Sequence, residues 1–551
     1  MLKNQKFFVQ LCCGVVFFTY LCVLFELTTA IDMIRTILLS FVAAVVSTTS
    51  VFAYSGPSKL IPEPVEFSVS DGVYTLKPDG SDIKVYLGSQ AFASKVKDLP
   101  DYAQDEVYEL VIGKKGVKIY SMTQEGAFRG KQSVEMMRLI DPAVQYCTVF
   151  DYPRFQHRGI MLDESRSFKG KDFVKKQIDA LALLKMNVMH LHLTDAAGWR
   201  LQIDAYPNLT DHVAWRIGET YHEWEGLGYP FTNAQDPKAY GGFYTKDDIR
   251  EIVAYAKERH IDIIPEIEMP GHSMEVNRAY PEIACVGEDG KPRPFSWDLC
   301  VGNAGTFKFI ETVLEEVMDL FPYEYIHIGG DEAVKKDWEE CVNCRKRMQE
   351  EGMKHKNELQ GYLVRHIEKF LRERGKTLIG WDEIVETGLP EQAVVMSWRG
   401  SPGGIKASAE GHDVIMSPNT YVYLDYYQDL IRKEPKAVGH MQSLRHVYKY
   451  DPLEGIAPEY HHHILGLQGN LWCELIPYAA HAEYMLYPRA FAIAEIGWTP
   501  QENREFFHFR ERCLTLITIF RSMGYNTFDL YNESLKAQTG RLRFDDPTFK
   551  L

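Results

Sequence analysis

The chain has 551 residues, of which 45% are hydrophobic and 25% are charged. This composition is that of a folded globular protein and excludes a disordered or fibrous chain. The 61 basic and 76 acidic residues give a formal net charge of −15, which argues against a nucleic acid or an anionic membrane surface as the main partner.

Two apolar runs open the chain, at residues 7–27 and 37–53. The second follows Met33 and ends at Ala53 in the small-x-small pattern of a signal-peptide cleavage site. We therefore expect translation to start at Met33 and the protein to be exported, to the periplasm or the extracellular space, with residues 1–53 as a leader. The first run is also long enough to form one membrane anchor.

Short β-like runs broken by turns occupy residues 61–153, for example VEFSVSDGVYTL and VYELVIGKKGVKIYSM. Their period-2 alternation and glycine-containing breaks predict a small α+β domain with an antiparallel sheet at residues 54–153. No residue pattern in this domain indicates chemistry.

From His157 onward, β-like apolar runs alternate with amphipathic helical stretches, which is typical of βα units and a parallel sheet. The predicted strands are residues 158–163, 188–195, 261–268, 325–330, 377–381, 393–398, 413–417 and 464–471. The predicted helices are residues 171–185, 246–259, 307–320 and 357–374. No glycine-rich dinucleotide loop follows any of these strands, so the units predict a (β/α)8 TIM barrel at residues 154–500, closed by helices at 501–551.

Ten cysteines become seven when the three in the leader are set aside. Cys285 and Cys300 flank a polar loop, and Cys341 and Cys344 form a CxxC pair, so each pair is interpreted as a local disulfide. Zinc at the CxxC pair is the less favoured alternative, because a closed structural site needs four ligands and no second CxxC exists. The three histidines at 461–463 are interpreted as a solvated loop.

Reactive groups in a (β/α)8 barrel gather where the strands end at their C-termini. Almost every predicted strand end carries carboxylates or large aromatic side chains: Asp163, Glu164, Asp195, Glu268, Asp331, Glu332, Trp381, Asp382, Glu383, Trp398, Tyr421, Tyr423, Asp425, Trp472 and Glu474. Acidic helix N-caps explain one or two of these ends, but not all of them together with three tryptophans. Tryptophan faces pack against sugar C–H surfaces and carboxylates accept hydrogen bonds from hydroxyls, so we expect a carbohydrate ligand.

The sharpest motif is HIGGDE at residues 327–332. Two glycines at a strand end permit positive φ, so the chain can turn and direct the adjacent carboxylates of Asp331 and Glu332 into one pocket. Adjacent like charges and partial desolvation raise the pKa of one of them, which predicts a general acid that stays protonated near neutral pH.

Several short motifs follow one another along the chain: YPRFQHRGIMLD (152–163), HLHLTD (190–195), PEIEMPGH (265–272), HIGGDE (327–332), GWDE (380–383), SWR (397–399), YLD (423–425) and LWCE (471–474). In composition and order they resemble the motifs of the family 20 glycoside hydrolases, the β-N-acetylhexosaminidases. The segment before the barrel is similar to the non-catalytic α+β domain of that family.

The resemblance implies removal of terminal, non-reducing N-acetylhexosamines with retention, through an oxazolinium intermediate that the substrate's own 2-acetamido oxygen forms. Glu332 is implied to protonate the leaving oxygen and then activate water, and Asp331 to hold the acetamido N–H. The side chains implied to bind or wall the substrate are Arg158, Asp195, His272, Trp381, Trp398, Tyr423, Asp425, Trp472 and Glu474. His192 and Glu268 are implied to support them from behind, Glu268 by pairing with His272 although the family commonly has aspartate there. No metal or organic cofactor is implied.

Two other functions compete with this interpretation. His190 and His192 lie on one face of a strand, as ligands in a metal-dependent barrel hydrolase would, although packed histidines near the barrel floor are the simpler interpretation. A glycan-binding protein that has lost the reaction is the second alternative, and the presence of both Asp331 and Glu332 speaks against it.

The wall residues fix an acetamido group but not the configuration at C4, so N-acetylglucosamine and N-acetylgalactosamine both stay open as the terminal sugar, as does the natural glycan. Residues 428–463 are interpreted as a lid or as a homodimer contact.

Overall fold

The computed structural model describes residues 58–541. The apolar runs, Met33 and the expected cleavage site at Ala53 lie outside these residues. Within the described range, no helix combines the length and the apolar character that a membrane crossing requires.

Five strands form the sheet of the N-terminal domain: β1 (Glu66–Thr75), β2 (Ile83–Leu87), β3 (Tyr108–Gly113), β4 (Gly116–Ser121) and β5 (Ala143–Asp151). Their order is β1-β5-β3-β4-β2, and the first three pairings are antiparallel as predicted. The pairing of β2 with β4 is parallel, so the sheet is mixed. The chain does not form a hairpin after β2. It passes through two helices to β3 and then returns as β4 beside β2 in the same direction, which makes this pair parallel.

The domain's helices are α1 (Gln90–Val96), α2 (Asp101–Glu106) and α3 (Gln124–Ile140). Thr123 precedes helix α3 as its N-cap, and its hydroxyl accepts a hydrogen bond from the Gly126 amide. Gly130 lies on the face of the helix that contacts the sheet. A Cβ added there would lie 2.9 Å from a methyl group of Ile119, so the site has room only for glycine. The helix therefore packs closely against the sheet.

The strands from His157 onward are β6 (His157–Asp163), β7 (Val188–His192), β8 (Thr194–Asp195), β9 (Gly198–Trp199), β10 (Trp215–Ile217), β11 (Ala239–Gly241), β12 (Asp262–Glu266), β13 (Tyr325–His327), β14 (Thr377–Trp381), β15 (Val394–Ser397), β16 (Val414–Met416), β17 (Tyr426–Tyr427), β18 (Val438–Met441) and β19 (Ile464–Leu471). Strands β6, β7, β12–β16 and β19 are parallel neighbours that close into a barrel, which confirms the predicted fold. The other six form short two-stranded pairs in the loops.

The helices of the barrel and its loops are α4 (Lys171–Leu183), α5 (Asn208–Asp211), α6 (Tyr221–Gly226), α7 (Lys246–Lys257), α8 (Met274–Ala279), α9 (Ala304–Leu320), α10 (Lys336–Glu340), α11 (Val342–Glu350), α12 (Asn357–Arg372), α13 (Pro402–Ala409), α14 (Leu444–Tyr448), α15 (Ala479–Leu486), α16 (Arg489–Trp498), α17 (Phe506–Ser522) and α18 (Leu535–Gln538). Helix α12 shows why the amphipathic pattern predicted them: Leu359, Leu363 and Ile367 recur every four residues and are all buried. Helix α17, in the C-terminal segment, contacts α3 of the N-terminal domain.

Apolar side chains from five strands fill the interior of the barrel: Val188, Ile264, Ile379, Val394, Met396 and Ile415. This plug is a packed core and not a pore. The interior therefore offers no channel to a ligand, and the polar side chains at the C-terminal ends of the strands lie above this packed core.

The N-terminal domain is joined to the opposite end of the barrel by buried charges. Glu106 Oε2 accepts hydrogen bonds from Arg129 Nε at 2.8 Å and from an Arg158 guanidinium nitrogen at 2.5 Å. Burial opposes ionisation of Glu106, but Arg158 and Arg129 outweigh it and hold its pKa below the ordinary value. Lys185 makes a second buried pair with Asp151 at 2.6 Å.

Candidate active site

A cavity of about 180 Å³ opens where the barrel strands end. Its lining residues are Arg166, His272, Asp331, Glu332, Trp381, Trp398, Tyr423, Asp425, Tyr426, Val438, Trp472 and Glu474. Nine of these are side chains that the sequence predicted for the site, and they come from loops and strand ends spread over more than 200 residues of the chain. The fold thus brings together groups that the motifs only suggested as neighbours.

The two adjacent carboxylates follow β13 through a tight turn. Gly329 and Gly330 have φ values of +68° and +95°, the left-handed region that the glycines of the motif predicted. A Cβ at Gly329 would lie 2.0 Å from Glu268 Oε2, so only glycine fits there. This turn directs both Asp331 and Glu332 into the cavity.

His272 lies between the carboxylates and a buried aspartate. Its Nδ1 is 3.3 Å from Asp195 Oδ2, and its Nε2 is 3.4 Å from Glu332 Oε2 and 3.6 Å from Asp331 Oδ2. Arg166 contacts the same Asp195 oxygen at 2.7 Å. Asp195, predicted to touch the substrate, is instead buried behind His272, where it orients the imidazole.

One of the two adjacent carboxyls has a raised pKa, as the motif predicted, but it is Asp331 and not Glu332. Burial raises the pKa of Asp331, and His272 opposes the shift only in part. The hydrogen bond from His272 lowers the pKa of Glu332, against the effect of partial burial. Burial disfavours imidazolium, but Asp195, Glu332 and Asp331 outweigh it and raise the pKa of His272 well above its ordinary value. The raised carboxyl pKa thus belongs to Asp331, and beside Glu332 it is the imidazole of His272 whose protonated form is favoured.

Aromatic rings form one wall of the cavity. Trp398 stacks on Tyr423 with ring centroids 6.2 Å apart and an interplanar angle of 19°, and Trp472 lies near both Trp381 and Tyr423 at 5.8 Å and 6.3 Å. The indole N–H of Trp398 donates to Glu383 Oε2 at 2.9 Å, which fixes the ring. These rings leave an apolar surface with the Tyr423 hydroxyl as a polar group within it.

Asp425, Glu474 and Arg166 line a polar part of the cavity. Asp425 Oδ1, Glu474 Oε2 and Arg166 Nε are buried and have no hydrogen-bond partner among residues 58–541. Burial raises the pKa of Asp425 well above its ordinary value, and Glu474 adds to the shift. Buried polar atoms without partners are rare in folded proteins, so these atoms are expected to bind a ligand with several hydroxyl groups.

Below the cavity, Glu266 is surrounded by ring nitrogens. His190 Nε2, His192 Nδ1 and His327 Nδ1 lie 3.1, 2.5 and 3.0 Å from its oxygens, and the Trp381 indole N–H donates to Oε1 at 2.8 Å. All three histidines are completely or almost completely buried. His190 and His192 are therefore packed below the cavity. A metal-dependent hydrolase would need its metal ligands to be accessible to the substrate.

The predicted pairing of Glu268 with His272 is wrong, because His272 is directed to Asp195. Glu268 Oε1 instead accepts a hydrogen bond from the Gly330 amide at 3.1 Å. Burial, with a further contribution from Asp331, raises the pKa of Glu268 well above its ordinary value. Glu268 thus supports the turn that carries Asp331 from behind.

The prediction that Arg158 binds the substrate is also wrong. Arg158 is the second residue of β6, so it lies at the end of the barrel opposite the cavity, completely buried against Glu106 and the Lys185 carbonyl. The arginine that lines the cavity is Arg166, which follows the same strand on its C-terminal side. Position along the strand is the signal that distinguishes the two.

Sequence reasoning also missed Glu266, Tyr426 and Val438. Glu266 stands two residues before Glu268 in the PEIE motif, and the same alternation along β12 could have indicated it. Tyr426 and Val438 lie in a short parallel pair, β17 with β18, that reaches the cavity. The segment interpreted as a lid or dimer contact thus contributes part of the cavity wall.

Comparison with known proteins gives a consistent picture. Residues 155–501 match the family model "Glycosyl hydrolase family 20, catalytic domain". A β-hexosaminidase of Porphyromonas gingivalis is 42% identical over 426 residues, and one of Vibrio furnissii is 37% identical over 406 residues. These matches cover 74% and 71% of this chain, and the chain spans 53% and 65% of the two relatives. The crystal structure of an exo β-N-acetylglucosaminidase from Vibrio harveyi with N-acetylglucosamine aligns with a TM-score of 0.73 at 27% identity, covering 86% of this chain and 79% of that one.

Proposed function

The chain belongs to glycosyl hydrolase family 20, and from this membership and its cavity we propose that it hydrolyses the terminal, non-reducing N-acetylhexosamine of a glycan or glycoconjugate. The observation that carries the proposal is the position of Asp331 beside the aromatic wall. Asp331 Oδ1 is buried without a partner next to rings of Trp381, Trp398 and Tyr423 that line the same cavity. An acetamido group has the matching N–H donor, carbonyl and methyl group.

The bound acetamido group would be held at both of its polar atoms. Its N–H donates to Asp331, its methyl packs on the tryptophans, and its carbonyl oxygen accepts a hydrogen bond from the Tyr423 hydroxyl. This places the carbonyl oxygen to attack the sugar's own anomeric carbon, and an intramolecular attack avoids most of the entropy cost of bringing in a separate nucleophile. Burial raises the pKa of Asp331 in the empty cavity, but the positive charge that develops on the closing ring lowers it again, so the ionised form of Asp331 stabilises that charge.

Glu332 would act as the general acid and then as the general base. Its side chain is 59% exposed, and its Oε2 lies 3.4 Å from Nε2 of His272, whose pKa is raised. A sugar that covers Glu332 desolvates it, which raises its pKa and favours transfer of the proton from His272. Glu332 then protonates the leaving oxygen, and the resulting carboxylate activates the water that opens the intermediate.

The hydroxyls of the sugar would bind at the polar part of the cavity. Asp425 and Glu474 offer the unpartnered acceptor oxygens, and Arg166 offers an unpartnered N–H. Arg166 thereby takes the role that the sequence assigned to Arg158. Because a bidentate fork orients its partner more tightly than a single amine, lysine at 166 is not expected to substitute for arginine.

The first experiment is turnover of an aryl N-acetyl-β-glucosaminide with a poor leaving group by the Glu332→Gln variant. We expect kcat to fall by about 100- to 10,000-fold, because the glutamine amide cannot donate the proton. Glu391→Gln, an exposed glutamate at the other end of the strands, is the matched control and retains activity. Near-normal turnover by Glu332→Gln would contradict the assignment.

The second experiment tests the role of the acetamido group. Asp331→Asn is expected to lower kcat/KM for 2-acetamido substrates by about 100- to 1,000-fold, because the charge that stabilises the oxazolinium ion is lost. A thiazoline mimic of that ion should inhibit the wild-type protein and bind the variant more weakly. Equal hydrolysis of 2-hydroxy and 2-acetamido glycosides by the wild type would overturn the mechanism.

We also propose that the protein is exported. The two apolar runs and the small-x-small pattern that ends at Ala53 support this proposal. Mass spectrometry of the protein from its native cells is expected to give an N-terminus close to residue 54. An intact leader on the mature protein would contradict cleavage there.

A further inference from the structure

Four cysteines from two separate loops meet beside the active site. Cys285 and Cys300 belong to the segment after His272, and Cys341 and Cys344 to the start of α11 after Glu332. The local disulfides predicted within each pair do not form, since all seven cysteines in residues 58–541 are free thiols. Instead the four sulfur atoms lie within 4.8 Å of one another, and all four side chains are buried.

The distances between these sulfur atoms match the edges of a coordination tetrahedron. Cys300 Sγ is 3.6 Å from both Cys341 Sγ and Cys344 Sγ, and Cys285 Sγ is 4.0 Å from Cys344 Sγ. Four sulfurs at about 2.3 Å from one Zn²⁺ ion are about 3.8 Å from each other. A disulfide requires an S–S distance of about 2.05 Å. Disulfides would also bring the thiols together in two pairs, whereas the structure gathers all four around one point.

We propose that Cys285, Cys300, Cys341 and Cys344 bind one structural Zn²⁺ ion. Thiolates favour zinc among the abundant divalent ions, and four protein ligands leave no open position for water or substrate. The Val286 amide donates a hydrogen bond to Cys341 Sγ at 3.4 Å, the kind of outer contact that orients a thiolate ligand. The missing second CxxC does not prevent the site, because the fold supplies the other two ligands from residues 285 and 300.

The zinc would hold together the two loops that carry the proposed acid and its histidine. The Asp298 carboxylate accepts a hydrogen bond from the Val334 amide at 3.0 Å, and the Leu299 carbonyl accepts one from the Trp338 indole at 2.9 Å. A Cβ at Gly302 would lie 2.1 Å from the Asn343 carbonyl carbon, so the loops are in close contact there as well. The ion takes no part in hydrolysis, and its loss is expected to loosen the segments on either side of Glu332.

The test begins with the wild-type protein, expressed with added zinc and purified without reductant. Inductively coupled plasma mass spectrometry is expected to give one zinc per chain. Exchange of zinc for Co²⁺ should give the thiolate-to-cobalt and d–d absorption of a tetrahedral sulfur site. Iodoacetamide should modify Cys285, Cys300, Cys341 and Cys344 only after a strong chelator is added.

Variants then locate the metal. Cys344→Ser is expected to lose the zinc, and Cys147→Ser, a buried cysteine of the N-terminal domain, is expected to keep it. Chelation should lower the Tm of the wild type by more than about 5 °C, because binding free energy adds to folding free energy.

Three results would overturn the proposal: a wild-type protein without stoichiometric metal, two disulfides among these four cysteines in a peptide map, or full zinc content in Cys344→Ser. Should Cys344→Ser fail to fold, metal content, the cobalt spectrum and thiol protection of the wild type still decide. Failure of this proposal leaves the proposed hydrolysis intact, since that is tested by Glu332→Gln.

Discussion

His272 contacts acidic side chains on both sides of its ring, and its protonation controls the catalytic cluster. Asp195 is the group that raises the pKa of His272 most, and Arg166 in turn lowers the pKa of Asp195 against the effect of burial. A raised histidine pKa stabilises the fold fully below about pH 6.5, and this stabilisation is lost as the pH rises through the folded-state value. The contacts of His272 with Asp195, Glu332 and Asp331 thus favour the form of the cluster in which the imidazole carries the proton that Glu332 needs.

Asp195→Asn should shift this behaviour. Removing the negative charge lowers the pKa of His272, so the proton leaves the His272–Glu332 pair at lower pH and the alkaline limb of kcat/KM moves to lower pH. A pH–rate profile checks the shift, and NMR titration of His272 checks its origin. Asp71→Asn on the exposed surface is the control. An unchanged alkaline limb in Asp195→Asn would contradict the claim that His272 supplies the proton to Glu332.

For individual residues, the sequence predicted which side chains line the cavity better than it predicted which of them contact one another. Nine cavity residues were predicted from strand-end positions and motif resemblance, because a barrel places all its C-terminal strand ends at one mouth. The partner of His272 could not be predicted, since Asp195 and Glu268 are both acidic residues at strand ends. Which of them meets the imidazole depends on loop conformation, and His272 itself has a φ of +51°.

The turn after β13 shows how one element builds the site. Gly329 has positive φ, and Glu268 occupies the space where its side chain would be. The chain reverses there, so that consecutive residues present their carboxylates to one cavity. The requirement for glycine comes from conformation and from this close approach together.

Gly329→Ala is therefore expected to lower both the free energy of unfolding and the activity. Left-handed backbone costs an alanine about 1–2 kcal/mol, and the clash with Glu268 adds to this cost. Adding Glu268→Asp shortens the clashing side chain and should recover part of the Tm but not the strain of the backbone. Thermal unfolding and turnover of the single and double variants measure the two contributions. No recovery in the double variant would contradict the clash.

The bounds of the strands were predicted well where nearly every residue of the strand is buried. Barrel strands β14 and β19 match their predicted residues, and in each of them all residues but one are buried. Strand β13 ends at His327, before the predicted Gly330, because the positive φ values of the two glycines end the ladder. The parallel pairing of β2 was missed because alternation reports which face is buried and not the direction of the neighbouring strand.

The whole molecule is joined by the charges between the N-terminal domain and the barrel. Arg158, Arg129 and Glu106 are all buried at this junction. Truncating one partner of a buried ion pair costs about 3–5 kcal/mol when the other charge is left alone, and less where a second partner stays. Since Arg129 would still pair with Glu106, the loss at Arg158 should fall at or below the lower end of that range.

The buried position of Arg158 assigns it to stability, whereas sequence reasoning had assigned it to substrate binding. Arg158→Met is expected to lower the Tm while leaving KM unchanged, whereas Arg166→Lys should raise KM for an N-acetylhexosaminide. Arg250→Met on the surface controls for loss of charge. Thermal unfolding and steady-state kinetics on the same preparations provide both readouts. A raised KM in Arg158→Met would restore the original assignment and contradict the structure.

The cavity gathers four carboxylic acids, Asp331, Glu332, Asp425 and Glu474, against one guanidinium and one imidazole. Burial raises the pKa of Asp331 and of Asp425, so an anionic group on the sugar favours their neutral forms and a cationic group favours their ionised forms. We therefore expect a terminal sugar that bears a sulfate or a uronic acid carboxylate to bind at a disadvantage even if its shape fits. An amino sugar that has lost its acetyl group carries a positive charge and would be attracted, yet it has no carbonyl with which to react. If the proposed hydrolysis takes place, we therefore expect a deacetylated terminal amino sugar to bind as a competitive inhibitor and not as a substrate.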